Sequence, residues 1–352
     1  YRMYLPCRWR KILNINFMKQ NFQSAKTVVR NYMKAFDSAS EKELSIILKQ
    51  HTTEDYLWRG MHPFYEQNGA EAVIETFWRP LRESFSPIQR REDMFFAGAN
   101  DCDKGKTEWV VSAGNLLGLF DKDWLGIPCT GKMIFLRYAE FHRIEDGKIA
   151  ETALFCDVLS VMHQAGHYPL PQMTGASFIY PGPRTHDGLL LNEQNPKEAE
   201  NTMKVLNKMI ADLDEMNKSG NDKCPPELLA RTWNKDMIWY GPTGIGASYT
   251  IERYQKQHQY PFRENLTDKV FNGHIARFAE GDYCGFFGWP NLYNKNKGDF
   301  LGLPKSDVLA EMRIVDIYRR DGNKLAENWV YIDILHYLYQ QGLDVLKRIK
   351  EI

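Results

Sequence analysis

The sequence predicts an α+β protein built from two copies of one domain, and three observations support this prediction. The segment DWLGIP at 123–128 recurs as DFLGLP at 299–304, an offset of 176 residues. The match continues without a gap to Gly166 and Gly342, so Asp157 is aligned with Asp333. Each copy begins with helical patterns and continues as a run of strand patterns, an order that is typical of α+β folds rather than parallel sheets.

The repeat also predicts the domain boundaries. Residues 167–194 contain Pro169, Pro171, Pro181 and Pro183 with little periodicity, which is typical of a linker. We therefore predict domains at 20–166 and 195–350. Residues 1–17 carry basic groups without the pattern of an export signal, and we interpret them as an upstream translation artefact or a fragment edge.

The elements of each copy follow in the same order. The first copy opens with apolar residues spaced along one helix face, and the second opens with a helix start at Asn195 and Pro196. Strands dominate the second half of each copy. The clearest are 133–143 with 148–156, and 309–319 with 324–332, each pair joined by a turn that contains glycine.

Charge and cysteine usage restrict the kind of partner. Lys+Arg and Asp+Glu balance at 45 each, so the chain lacks the basic excess typical of proteins that bind nucleic acid or anionic membranes. The six cysteines include no Cys-x-x-Cys pair, which argues against a structural zinc site or a disulfide framework. We expect a cytoplasmic protein with no membrane or nucleic-acid partner, whose ligand is a small molecule.

The last strand of each copy carries the candidate chemistry. Alternation places Glu327, Trp329, Tyr331 and Asp333 on one face, and Phe155 and Asp157 on the equivalent face. A carboxylate that faces a cavity walled by aromatic rings would have a raised pKa suited to proton transfer. The alternative is that each aspartate caps the following helix. Arg137 and Arg313, with Glu140 and Asp316 on the adjacent strands, are expected to form structural ion pairs with the recurring Glu151 and Glu327.

The two copies resemble a known family in these segments. GKIAETALFCDVLSVMHQAG at 147–166 and NKLAENWVYIDILHYLYQQG at 323–342 resemble the closing motif of the SnoaL-like polyketide cyclases. The Leu-Gly-x-Pro elements at 125–128 and 301–304 and the Gly281-Asp282 step are similar to further motifs of that family. The resemblance covers nearly all of residues 20–350, once in each copy.

The resemblance implies a fold and a chemistry. The fold is the nuclear-transport-factor-like cone, NTF2-like for short, in which N-terminal helices close a curved, mainly antiparallel sheet around a deep apolar pocket. Neither a metal nor an organic cofactor is implied. In the family's cyclases the aspartate of the closing motif removes a proton next to a carbonyl and ring closure follows by aldol attack. The matching residues are Asp157 and Asp333, and the implied substrate is a hydrophobic, carbonyl-bearing small molecule.

The second copy matches the motif more fully, because Trp329 stands where the first copy has Ala153. We therefore favour Asp333 over Asp157. The tryptophans can instead be core residues and the histidines structural ones. The residues predicted to bind substrate are His274, Trp329, Tyr331, Trp239, Trp289 and His336 in the second copy and Trp58 and Phe155 in the first.

Three functions remain open at this point. The first is an enzyme with cofactor-independent acid–base chemistry, such as a cyclase, isomerase or lyase, and this is the one we favour. The second is a non-catalytic small-molecule-binding protein. The third is a pair in which the first copy only scaffolds the second. Two linked copies can form an intramolecular pseudo-dimer, so a monomer is expected in solution.

Overall fold

The computed structural model describes residues 21–220 and 223–351, and the prediction about residues 1–17 lies outside them. The first domain has helices α1–α5 and strands β1–β6. Their order is α1 Gln23–Asp37, α2 Leu44–His51, β1 Thr52–Gly60, β2 Glu66–Asn68, α3 Ala70–Val73, a π-helical turn Ile74–Trp78, α4 Arg79–Ser84, β3 Phe85–Ala99, β4 Glu108–Phe120, β5 Met133–Glu145, β6 Lys148–Cys156 and α5 Val158–Gln164. A short 3-10 turn, Asp101–Asp103, separates β3 from β4.

The second domain repeats this series with a longer first helix, one additional strand and one additional helix at its end. Its elements are α6 Pro196–Ser219, α7 Pro226–Leu229, β7 Trp233–Tyr240, β8 Ala247–Tyr249, α8 Thr250–Tyr254, a π-helical turn Gln255–Gln259, α9 Tyr260–Asn265, β9 Leu266–Phe271, β10 Ala276–Glu280, β11 Tyr283–Asn296, a 3-10 turn Phe300–Gly302, β12 Ala310–Asp321, β13 Lys324–Ile332, α10 Ile334–Gln340 and α11 Val345–Arg348.

The sheets confirm the α+β fold and its duplication. The strand order is β2-β1-β6-β5-β4-β3 in the first sheet and β8-β7-β13-β12-β11-β10 in the second, where β9 also pairs with β11. In both sheets the first long strand pairs in parallel with the last, as β1 with β6 and β7 with β13, and the other pairs are antiparallel. The two copies therefore share one topology.

A Trp-x-Gly step recurs where β1 and β7 end. A Cβ atom added at Gly60 would collide with the ring of Trp58, and one added at Gly241 would collide with the ring of Trp239. Each indole therefore folds back over its own strand and points into its cone. The glycine is needed because any larger residue would displace the ring.

Each sheet has two apolar faces. One face packs under the helices of its own domain, inside the cone. The opposite face packs against the other sheet, so that Trp109 and Phe141 of the first domain contact Phe287 of the second, with ring centroids 5.4 and 5.2 Å apart. Both faces of the strands are therefore buried, which distinguishes them from a sheet with one solvated face.

Residues 167–194, predicted to be a linker, run along both sheets. Leu189 pairs with Phe95 of the first domain and Ala176 pairs with Ala247 of the second. Among the described residues, none of the helices has both the length and the apolar character needed to cross a membrane.

Candidate active site

The predicted catalytic residue Asp333 is buried where the two domains meet. Its Oδ1 accepts a hydrogen bond from the backbone N–H of His336, 3.2 Å away, and so caps α10. Its Oδ2 accepts from the backbone N–H of His62 of the first domain at 3.0 Å, and Arg313 Nη1 lies 3.7 Å away. Burial raises the pKa of Asp333, although these donors and the neighbouring cations favour its charged form.

Asp157 makes the equivalent hydrogen bonds in the first copy. Its Oδ1 accepts from the N–H of Ser160 at 3.0 Å and caps α5. Its Oδ2 accepts from the N–H and the hydroxyl of Thr243 in the second domain, at 2.9 and 3.0 Å. The crevice beside Asp157 has a volume of about 10 Å³, the space of roughly one water molecule. The capping interpretation describes both aspartates, and the expectation that they face an aromatic cavity is wrong.

The aromatic residues next to Asp333 belong to the hydrophobic cluster between the two sheets. Trp329 stacks on Tyr240, with centroids 5.5 Å apart, and its Nε1–H donates to the carbonyl of Pro181 at 3.1 Å. The Tyr331 hydroxyl donates to the carbonyl of Tyr138 at 2.9 Å. Alternation along β13 was predicted correctly, but this face of the strand packs against the other sheet instead of lining the cone.

Three further predicted site residues lie at the same interface. Phe155 packs edge-on against Trp289 with centroids 5.6 Å apart, and the Arg313 guanidinium lies 4.1 Å from the Trp289 ring centre. His336 Nε2 lies 3.1 Å from a carboxylate oxygen of Glu311. The contact of Phe155 with Trp289 joins the two domains, whereas the contacts of Arg313 with Trp289 and of His336 with Glu311 lie within the second domain.

The second cone contains a cavity of about 560 Å³, which we call the C-cavity. It lies between α6, the helical segment 250–265 and the inward face of strands β7 and β9–β13. Of the residues predicted to bind substrate, Trp239 and His274 line it. Its other polar and aromatic lining residues include Trp233, Tyr254, His258, Phe262, Phe286, Asn291, Asp316, Tyr318 and Asn328.

Asp316 is the carboxylate that the sheet directs into the C-cavity. It lies on β12 opposite Phe286 of β11, on the same face as Ile314 and Tyr318. The Asn328 side-chain amide donates to its Oδ1 at 3.1 Å. Within the described residues it has no ion-pair partner, so the predicted pairing with arginine and glutamate is wrong. Burial raises the pKa of Asp316 to about 6, since the hydrogen bonds only partly offset the lost hydration.

Two uncharged histidines share the C-cavity with Asp316. His258 stacks on Trp239, with centroids 4.0 Å apart, and His274 stacks on Phe286 at 3.9 Å. Burial lowers the pKa of each imidazole to about 3, and for His274 the charge of Arg277 adds to the effect. Both rings are therefore neutral at pH 7, and each carries one N–H and one acceptor nitrogen.

The first cone is filled at the positions that line the C-cavity in the second. Glu140, the repeat equivalent of Asp316, accepts from Arg90 Nη1 at 2.6 Å. Tyr138 occupies the position of Ile314 and is fully buried. Trp58, the predicted substrate-binding residue of this copy, packs on Phe77 with centroids 5.5 Å apart and is 1% exposed. Trp58 is therefore a core residue.

The first domain nevertheless contributes to the wall around His274. The buried Asn100 side chain donates to the carbonyl of Ile275 and accepts from the N–H of Arg277, both at 3.1 Å. Asp101 accepts from Arg277 Nη2 at 2.7 Å. These bonds fix the segment that follows His274, so the position of one cavity wall depends on the first domain.

Replacing Asp316 by asparagine is expected to stabilise the protein at pH 7 by about 1–2 kcal/mol. The native pKa of about 6 exceeds the unfolded value near 4, so the native state binds more protons between these pH values and stability falls as the pH rises through them. The gain should therefore disappear near pH 4. Chemical denaturation of the wild-type and Asp316→Asn proteins between pH 4 and pH 7 measures this difference in unfolding free energy. A difference that does not change with pH would contradict the raised pKa of Asp316.

No group of three or more His, Cys, Asp or Glu side chains suited to a metal ion is found in the described part of the chain. Asp316 itself could have been found from the sequence by one signal. It lies two residues from Ile314, and the equivalent residue of the first copy is the much larger Tyr138. The side chain next to this acid is therefore smaller in the second copy than in the first. The ion pair of Glu140 with the distant Arg90 could not have been anticipated.

Part of the chain is similar to known proteins. Residues 26–165 match the family model described as SnoaL-like polyketide cyclase. A structure assigned as a SnoaL-like polyketide cyclase from a Jannaschia species is 21% identical and covers 40% of this chain and 89% of its own, with a TM-score of 0.32. An NTF2-like protein from Burkholderia thailandensis is also 21% identical, over 41% of this chain and 97% of its own, with a TM-score of 0.30. TsrD from Streptomyces laurentii is 16% identical, over 40% and 96%, with a TM-score of 0.32.

No curated protein matches the chain. The family match covers the first domain, and the second domain has the same strand order and the same parallel pairing of its first and last long strands. Residues 26–165, which form most of the first domain, are therefore similar to the SnoaL-like polyketide cyclases, and the second domain repeats the sheet topology of the first.

Proposed function

We propose that the C-cavity binds a hydrophobic, carbonyl-bearing small molecule and that Asp316 transfers a proton on it. The observation that carries this proposal is a carboxylate that has no cationic partner among the described residues and that faces a cavity of about 560 Å³ with aromatic walls. A pKa of about 6 leaves most of Asp316 ionised at pH 7 and makes it a stronger base than a hydrated carboxylate. The first cone is filled, so one site per chain is expected.

The chemistry follows from these groups. Ionised Asp316 takes a proton from the carbon next to a carbonyl, and the electron pair of that C–H bond forms an enolate. The neutral imidazoles of His258 and His274 line the same cavity and can donate an N–H to the enolate oxygen. In an aldol ring closure the enolate carbon bonds to a second carbonyl carbon, and that carbonyl's oxygen takes the proton from Asp316. A folded substrate held in the cavity lowers the entropic part of the barrier.

The proposal can be tested without the natural substrate. Nitrobenzisoxazole is a compact aromatic carbon acid: a base removes its ring C–H proton, the N–O bond breaks, and a coloured phenolate is released. We expect saturable turnover by the intact chain. Asp316→Asn should lower kcat by roughly 10²–10⁴-fold, because the base is lost while the shape of the cavity is retained.

Asp93 provides a matched control. Burial also raises the pKa of this carboxylate to about 6, but it lies against Gly182 and Gly188 and does not line the C-cavity. Asp93→Asn should therefore turn over the probe at the wild-type rate. Wild-type turnover by Asp316→Asn would refute the proposed role. Probe binding without turnover by the wild-type chain would favour a non-catalytic binding protein.

A further inference from the structure

We infer that the C-cavity also binds compact hydrophobic cations, such as quaternary or protonated aromatic amines, with the positive centre held at Asp316 among aromatic rings. This inference rests on the proposed function only in using the same cavity and carboxylate. It concerns binding, so it can fail while the proton transfer holds, and the reverse is also possible.

The rings around Asp316 are placed by strand register. Phe286 lies directly opposite Asp316 on β11, so the two Cβ atoms are about 5 Å apart. Tyr318 follows two residues later on the same face of β12, and its ring centre is 5.9 Å from that of Phe286. Trp233 continues the wall, 5.7 Å from Tyr318. The carboxylate is thus bordered by aromatic rings that can contact the same bound group.

The charges that line the C-cavity leave Asp316 uncompensated. Among the described lining residues the only Lys or Arg is Arg277, and its guanidinium is bound to Asp101. Asp214 also lines the cavity, but it is exposed and bonded to Lys218. The remaining titratable groups of the lining are neutral at pH 7, namely Tyr254, Tyr318, His258 and His274.

A cation would interact favourably both with the carboxylate of Asp316 and with the aromatic rings around it. An ammonium group beside a desolvated carboxylate compensates for its lost hydration, and the same group attracts the faces of nearby rings. A neutral ligand of the same shape would leave the charge of Asp316 uncompensated in the dry cavity. Charge rather than shape should therefore distinguish the better ligand.

Phenyltrimethylammonium and tert-butylbenzene distinguish the effect of charge from that of shape, because they have the same shape and differ by one positive charge. Binding to the intact chain can be followed by tryptophan fluorescence or calorimetry at fixed ionic strength. At pH 7.5 the cation should bind at least about tenfold more tightly than its neutral isostere. In Asp316→Asn this preference should be lost, and in Asp93→Asn it should be retained.

The pH dependence provides a second readout. The preference for the cation should decline below about pH 6 as Asp316 takes up a proton, because a neutral carboxyl no longer attracts the cation and no longer disfavours tert-butylbenzene. Equal affinity of the two compounds at pH 7.5, or a preference that survives in Asp316→Asn, would overturn the inference. If turnover of nitrobenzisoxazole depends on Asp316 but the cation preference is missing, this inference fails alone. If the cation preference is found without turnover, the proposed function fails alone.

Discussion

Replacing Asp333 by alanine is expected to lower the free energy of unfolding by roughly 3 kcal/mol. The substitution removes the acceptor for two buried backbone N–H groups, those of His336 and His62, and leaves the Arg313 guanidinium without its carboxylate 3.7 Å away. One of these donors belongs to the other domain, so the loss should weaken the contact between the domains as well as α10. Urea denaturation of the intact chain at pH 7 measures it.

Asp344 is the matched control for this prediction. It caps α11 by accepting from the N–H of Lys347 at 3.0 Å, and it makes no hydrogen bond or ion pair to the described residues of the first domain. Asp344→Ala should cost about 1 kcal/mol or less, the usual value of an exposed cap. If the two alanine variants lost equal stability, the interdomain role of Asp333 would be refuted. Turnover by a folded Asp333→Asn variant at the wild-type rate is also expected, since this carboxylate does not line the C-cavity.

Filling the C-cavity should have the largest effect on binding. Ile314→Tyr introduces the residue that the first copy has at the equivalent position, where Tyr138 is fully buried inside the cone. The added ring would occupy existing space next to Asp316, so little strain is expected. We predict at least about a tenfold loss of affinity for aromatic probes, because the volume that holds them is taken.

Ile314→Val controls for the loss of the native side chain. It shortens the residue without blocking the cavity, and it should change probe affinity by less than about threefold. KM for nitrobenzisoxazole and direct binding of tert-butylbenzene can be measured in both variants. Unchanged binding in a folded Ile314→Tyr variant would mean that the probes bind elsewhere on the chain.

Much of the fold could be predicted because the repeat is visible in the sequence. The strand patterns at 133–143 and 324–332 correspond to β5 and β13 to within two residues at each end. The order of helices and strands in both copies is confirmed as well. These features depend on local periodicity and on comparison of the chain with itself, and both are available from one sequence.

The site could not be predicted in the same way, because both faces of the last strand are buried. Alternation correctly grouped Trp329 and Tyr331, but a period of two does not tell which face points into the cone and which meets the second sheet. The aromatic residues favour the face that the structure places between the two sheets. The inward face of this strand has Asn328, Val330 and Ile332, which look less like a binding site.

The role of the two aspartates also could not be predicted from the sequence alone. Asp157 and Asp333 recur because each closes a contact with the backbone of the other domain, through Thr243 and His62. A recurring carboxylate at a helix start fits both a cap and a base, and only the tertiary contacts distinguish them. Asp316 has no ion-pair partner within the described parts of the chain, whereas the equivalent Glu140 of the first copy pairs with Arg90.

The pH dependence of kcat/KM for nitrobenzisoxazole tests the central claim most directly, since it measures the ionisation of the base in the free protein. We predict that the rate of the wild-type chain rises with an apparent pKa of about 6, the value that burial gives Asp316 in the C-cavity. In Asp316→Asn the residual rate should show no such step. A midpoint near 4, or a step near 6 that persists in Asp316→Asn, would contradict the account.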